Sequence, residues 1–183
     1  MPESSVEQLR EWLWSKDVAR SKRVWTILDG ARDPGIFRLV SGCYEDNCCL
    51  YSGSLPRALQ LAAPYLVALE PDSHVTNYLL KHEWGKSWGV FLRSDASLDQ
   101  LRRHLRRLLV VRDEGGSRLL FRFYDPRVLR LYLPTCLLAE LRLFFGPIHS
   151  YLVEGEQPGS AARFVFDGEQ LTQGVLDLRA AAA

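Results

Sequence analysis

Arg122, Asp125 and Arg127 fall within one short stretch, LLFRFYDPRVL (Leu119–Leu129). Leu119, Phe121 and Phe123 alternate with Leu120, Arg122 and Tyr124, the period of two that a strand requires. Asp125 then has the side chain to cap free N–H groups, and Pro126 fits a first helical position, where no N–H is needed. The charged triplet therefore crowds a strand-to-helix junction. Asp29, at the end of another β-rich run (Arg23–Leu28, RVWTIL), is a second carboxylate within the range of Arg122. Such a cluster is a catalytic site, a partner site or a structural latch.

Catalysis needs further groups that the sequence does not bring to this junction. A nucleophilic mechanism requires Ser or Cys beside a His and a carboxylate, with an oxyanion hole. The histidines (His74, His82, His104 and His149) are scattered, and Tyr51–Ser54 (YSGS) is not the G-x-S-x-G of a nucleophile elbow. His74 and His82 would lie two helical turns apart, too far to share a metal. Gly85-Lys86-Ser87 resembles the end of a Walker loop but lacks its upstream glycine and leads into a strand instead of a helix. The cysteines (Cys43, Cys48, Cys49 and Cys136) contain no C-x-x-C pair, and vicinal thiols in a strand face opposite ways. They read as reduced, partly buried thiols. No catalytic residue, metal set or cofactor is thus assigned. Asp29, Arg122, Asp125 and Arg127 read as a structural latch; the alternative is a hydrolase or nucleotide-binding enzyme using the Asp29/Arg122/Asp125 region.

Two other clusters have the chemistry of binding surfaces. Arg102, Arg103, Arg106 and Arg107 flank the apolar stripe of LRRHLRRLL (Leu101–Leu109). They form either a solvated helix face or a surface for an acidic partner. Trp84 and Trp88 sit in WGKSWG, as core plugs under a tight loop or as anchors for a peptide.

The elements that must position these residues follow from pattern and capping. A first helix carries Val6, Leu9, Trp12 and Leu13 on one face, with Ser4 or Ser5 as its cap. Asp33, Ser73 (or Asp72) and Ser97 stand where helix N-caps are needed. Helices are expected from Pro34, Pro56, Val75, Leu98, Pro126 and Leu137. Strands are expected at 23–28, 48–51, 65–69, 88–92, 110–112, 118–124, 151–154 and 163–166. Gly115-Gly116 signals a hairpin, and Gly89 inside a strand signals close backbone approach. Strands alternating with helices imply an α/β domain with a mixed sheet and at least one antiparallel hairpin. The organisation expected is an amphipathic helix over 1–22, an α/β domain over 23–154, and a C-terminal hairpin strand and tail over 155–183. The terminal RAAAA reads as a frayed helix or the edge of a fragment.

Composition sets limits on function. The chain has 183 residues, 47% hydrophobic and 25% charged, with net charge +1, so bulk charge pulls it toward neither nucleic acid nor membrane. Its cations are mostly arginine, which favours bidentate pairing and protein interfaces. No apolar run follows a basic start, and no stretch approaches a membrane span, so a cytoplasmic location is expected.

Six segments taken in order carry a family resemblance: ILDGARDPGIFRL, CLYSGSLPRAL, APYLVALEPDS, WGKSWGVFLRS, LRRHLRRLLVVR and LLFRFYDPRVL. Together they resemble the domain of unknown function 4123, across roughly Val24–Val153. The resemblance implies an adaptor chaperone of bacterial type VI secretion that is not an enzyme. Its implied partners are a cognate effector and the VgrG spike protein, often through the spike's C-terminal region. It also implies an α/β lobe with an appended helical C-terminal lobe. Little of this chain follows Phe166, so that helical part is reduced. Trp84, Trp88 and the four arginines are the partner-binding candidates.

Overall fold

Val24–Asp29 forms β1, and all six of its residues are buried. A strand covered on both faces does not alternate polar and apolar residues, which is why RVWTIL reads as one apolar run. Trp25 and Ile27 point into one hydrophobic cluster, and Val24 and Leu28 into another. The computed structural model describes residues 1–15, 23–113 and 115–179. Residues 16–22, Glu114 and the terminal alanines 180–183 lie outside the described residues, and with them the end of the expected N-terminal helix and most of the RAAAA tail.

The remaining strands of the main sheet are β2 (Asn47–Cys49), β3 (Pro64–Leu69) and β4 (Gly89–Arg93), then β7 (Ser150–Glu154), β8 (Ser160–Phe166) and β9 (Leu171–Asp177). A short separate hairpin, β5 (Val110–Arg112) and β6 (Arg118–Leu120), lies between the two groups in sequence. The seven-stranded sheet runs β2-β3-β1-β4-β7-β8-β9. Ile27 stands opposite Leu66 on one side and Val90 on the other. The α/β class and the antiparallel hairpin are as expected. Strand direction is more uniform than the alternation of strands and helices suggests, because every described pairing is antiparallel.

Helices cover both faces of the sheet. On one side lie α1 (Glu3–Trp14), α2 (Pro34–Gly42) and α4 (His74–Tyr78), the last continuing into a π turn over Leu79–Glu83. They contribute Val6, Leu9, Leu13, Ile36, Val40 and Val75. On the other side lie α5 (Leu98–Leu108), α6 (Pro126–Tyr132) and α7 (Leu138–Phe145), which contribute Leu101, Leu105, Leu129, Leu141 and Phe144. A one-turn helix, α3 (Arg57–Leu61), leads into β3. The expected caps form. Asp33 accepts from the Gly35 N–H at 2.6 Å, Ser73 from Thr76 at 3.2 Å, and Ser97 closes a capping box with Gln100. The first helix differs, because Ser5 lies inside it and its hydroxyl donates to the Leu178 carbonyl at 2.8 Å.

That bond crosses the divisions expected near residues 22 and 154. The packing crosses them too, since α1 shares its core cluster with Ala161 and Leu178. The C-terminal tail is itself a strand. β9 (LTQGVLD) escapes a periodicity search because most of it is exposed and Gly174, at its centre, is weak in β preference. It pairs with β8 along its whole length, Ser160 opposite Asp177 and Phe166 opposite Leu171, and forms one edge of the sheet. In the opposite sense, β6 ends at Leu120, short of the expected Tyr124. Phe123 and Tyr124 turn inward and are buried instead.

Two positions fix the spacing of layers. A Cβ added at Gly89 would lie 2.0 Å from the Ile27 carbonyl oxygen, so β4 can approach β1 only without a side chain there. His104 of α5 donates from Nε2 to the Phe144 carbonyl at 2.9 Å, near the end of α7. Gly146 follows with φ +49, and a Cβ there would meet the His104 ring at 2.4 Å. Burial pushes the His104 pKa below its ordinary value, against the pull of the Phe144 bond and with added repulsion from Arg107.

Gly89→Ala is expected to cost about 2 kcal/mol through overpacking against β1; a urea midpoint within error of the parent would show that the strands can separate at no cost. The unfolded chain takes up the His104 proton as pH falls through about 6.5, while the folded chain resists it. Stability is therefore full above that pH and declines on acidification below it. His104→Gln is expected to flatten this slope between about pH 6.5 and 5 in thermal melts.

Candidate functional site

The expected latch residues meet, in a specific arrangement. Asp29 is 0% exposed at the end of β1. Its carboxylate accepts from Arg122 on one oxygen and from the Ala31 N–H at 3.1 Å on the other. Arg122 therefore pairs with the distant Asp29 in preference to its near neighbour Asp125. Asp125 caps α6, accepting from the Arg127 N–H at 3.0 Å, and the Arg127 guanidinium closes on the same carboxylate at 3.0 and 2.6 Å. Burial raises the Asp125 pKa, but the Arg127 hydrogen bonds and charge outweigh it and hold the carboxyl below its ordinary value. The Asp29 bond in turn raises the pKa of Arg122. Beside them Tyr124 is buried, and loss of its phenolic proton is strongly disfavoured by that burial and by its bond with Tyr51. Both carboxylates are thus committed to arginine.

The tryptophans are placed differently from a partner anchor. Trp88 is buried, with its ring 6.3 Å from Tyr78. That corrects its candidacy as a binding residue, because the side chain is spent in the core under α4. Trp84 is half-buried and stacks on Phe91 at 5.9 Å. The loop between them is tight, with Gly85 at φ +93 and Ser87 at φ +56. Glu154, at the end of β7, holds it by accepting from the Ser87 N–H at 3.0 Å. Burial raises the Glu154 pKa, opposed by the N–H groups of Ser87 and Gly85. No sequence pattern joins Glu154 to Ser87, since their link is purely tertiary.

The four arginines of α5 divide. Arg106 donates to the carbonyls of Leu50 at 2.9 Å, Cys49 at 3.3 Å and Tyr51 at 2.6 Å. It is a clamp on β2 and the segment after it, which corrects its assignment to a partner surface. Arg102 is half-buried, and its Nε is buried without a hydrogen-bond partner. Cys48 lies in the field of both, yet burial pushes its thiol up to about 11. All four cysteines are free and half-buried. Arg103 and Arg107 are exposed, and no ion pair to either is found among the described residues.

Other polar features serve the frame. Arg163 of β8 stacks on Trp12 at 4.4 Å and donates to the Trp12 carbonyl, fixing α1 to the sheet. An open groove of about 630 Å³ separates α6 from β8 and β9, with Leu131 and Val175 among its lining residues. Its arginines are engaged, Arg127 with Asp125 and Arg130 with the Glu154 carbonyl at 2.6 Å. Among the described residues, no group of three or more His, Cys, Asp or Glu could hold a metal ion, and no helix is long and apolar enough to cross a membrane.

A family model described as "Domain of unknown function (DUF4123)" matches residues 24–143. That span runs from the start of β1 into α7 and includes the junction, the tryptophan loop and all four α5 arginines. No curated protein and no solved structure matches the chain.

Removing Arg122 leaves Asp29, 0% exposed, without its cation, and removing Arg127 does the same to Asp125, 5% exposed. Arg122→Ala is expected to destabilise by about 3 kcal/mol and Arg127→Ala by about 2 kcal/mol, because each orphans a buried carboxylate. An Arg122→Ala loss within error of zero in chemical denaturation would show that Asp29 is solvated without Arg122. On α5, Arg106→Ala is expected to cost about 2 kcal/mol by orphaning carbonyls, and Arg103→Ala within about 0.5 kcal/mol.

Proposed function

The chain belongs to the DUF4123 family, and on that premise we propose that it is an adaptor chaperone of type VI secretion. In this reading it binds a cognate effector in the cytoplasm and loads it onto the VgrG spike protein through the spike's C-terminal region. The observation that carries the reading is the ordered set of six segments from Ile27 to Leu129, all inside the span that the family model matches. A binding role is also consistent with the polar chemistry on the page. The buried charges are used to fix strands and helices, while Arg103 and Arg107 stand exposed on α5.

A hydrolase or nucleotide-binding enzyme centred on Asp29, Arg122 and Asp125 requires carboxylates free to meet water or substrate. Asp29 is 0% exposed and already holds Arg122 and the Ala31 N–H. The adaptor reading makes no such demand and is preferred.

Co-purification with the products of a neighbouring spike gene and effector gene tests it. The expected result is a complex containing both, and loss of the spike from the effector when this chain is omitted. Failure to bind either partner would sink the adaptor reading.

A further inference from the structure

The β5–β6 hairpin carries four large apolar side chains that the core does not cover. Val110 lies opposite Leu120 and Val111 opposite Leu119, with exposures from 40% to 51%. A two-stranded ribbon has little stability of its own. This one begins just after α5, with only Leu109 between Leu108 and Val110.

The charges around it are arranged against the isolated fold. Arg112 stands opposite Arg118 in the ladder, and like charges in that register repel. Arg103 and Arg107 are both exposed at i and i+4 on α5, which is also a repulsive spacing. The cations of the last turn gain from the helix dipole, but Arg112 and Arg118 lie outside the helix. Among the described residues none of these four arginines has an ion pair. The nearby Asp113 carboxylate accepts from the Ser117 N–H at 2.8 Å and holds the turn. Arg112 also donates to the Gly116 carbonyl at 3.0 Å, so the surface combines half-exposed apolar side chains with four arginines that have no ion pair among the described residues.

We propose that this arginine-framed hairpin is the docking surface for a segment of a partner protein in which acidic side chains are interspersed with large apolar ones. Carboxylates on such a segment relieve the arginine–arginine repulsion, while its apolar side chains cover the valines and leucines. A polynucleotide satisfies the arginines but leaves the apolar side chains in water, so protein is the better fit. The proposal deepens the adaptor reading by naming the surface and the chemistry of the segment it takes.

The test uses the full chain with a synthetic peptide of interspersed Glu and Leu, and heparin and duplex DNA as polyanion controls. Two double variants, Arg103→Glu/Arg107→Glu and Arg112→Glu/Arg118→Glu, are compared at matched melting temperature, with Leu119→Ser/Leu120→Ser as the apolar arm. Peptide binding should weaken about tenfold in each charge-reversal variant, weaken in the apolar arm, and fall with salt. Unchanged affinity in folded variants would overturn the proposal, as would tighter binding of heparin or DNA than of peptide. Self-association that the same variants abolish, with no peptide binding, would assign the surface to a second copy and also overturn it. Spike and effector complexes that survive both reversals would leave the adaptor reading standing and remove this surface. Arginine-dependent peptide binding with neither complex formed would do the reverse.

Discussion

A carboxylate shut away from water stays ionised only where cations and N–H groups replace its hydration. Asp29 is in that position, at the end of the strand around which both helical layers are built. Its need for Arg122 draws the segment after β6 across to the end of β1. Asp125, three residues on, then starts α6 with Arg127 closed over it. The direction in which α6 leaves the sheet, and with it the burial of Leu129 and Leu133, follows from that one requirement. The charged cluster organises one end of the sheet as its apolar core organises the middle.

Much of this was legible from local chemistry. Asp33, Ser73, Ser97 and Asp125 cap helices because each has a side-chain acceptor one residue before a helical pattern. Gly89 marks a backbone contact that no Cβ permits. What escaped is what depends on distant partners. Arg122 chooses Asp29 over Asp125, ninety-three residues away against three. Arg106 looks like its neighbours in LRRHLRRLL, yet it alone of the four meets three carbonyls. Trp88 looked available to a partner until the packing of Tyr78 was known. β9 was hidden because Gln173 and Gly174 interrupt its apolar residues, and its pairing with β8 makes it a strand.

Arginine serves distinct purposes in this chain, and its planar guanidinium suits each of them. Arg122 and Arg127 neutralise carboxylates at the junction. Arg106 and Arg130 donate to backbone carbonyls and join elements remote in sequence. Arg163 stacks on an indole to hold α1 in place. Lysine, a hydrated point charge without a flat face, substitutes poorly in those roles, which accounts for the bias toward arginine without invoking a polyanion. Arg103 and Arg107 on α5 stand exposed with no ion pair among the described residues.

The two edges of the large sheet are finished differently. At β2 the Arg106 guanidinium sits on the carbonyls of Cys49 and the two residues after it, and the strand itself is only three residues long. At the other edge β9 offers seven residues with no lysine or proline to deter pairing. Of the two edges of the main sheet, β9 is thus the longer and the less obstructed among the described residues. A sheet open at both edges would propagate into fibres. A short strand under a guanidinium limits such growth from the β2 side.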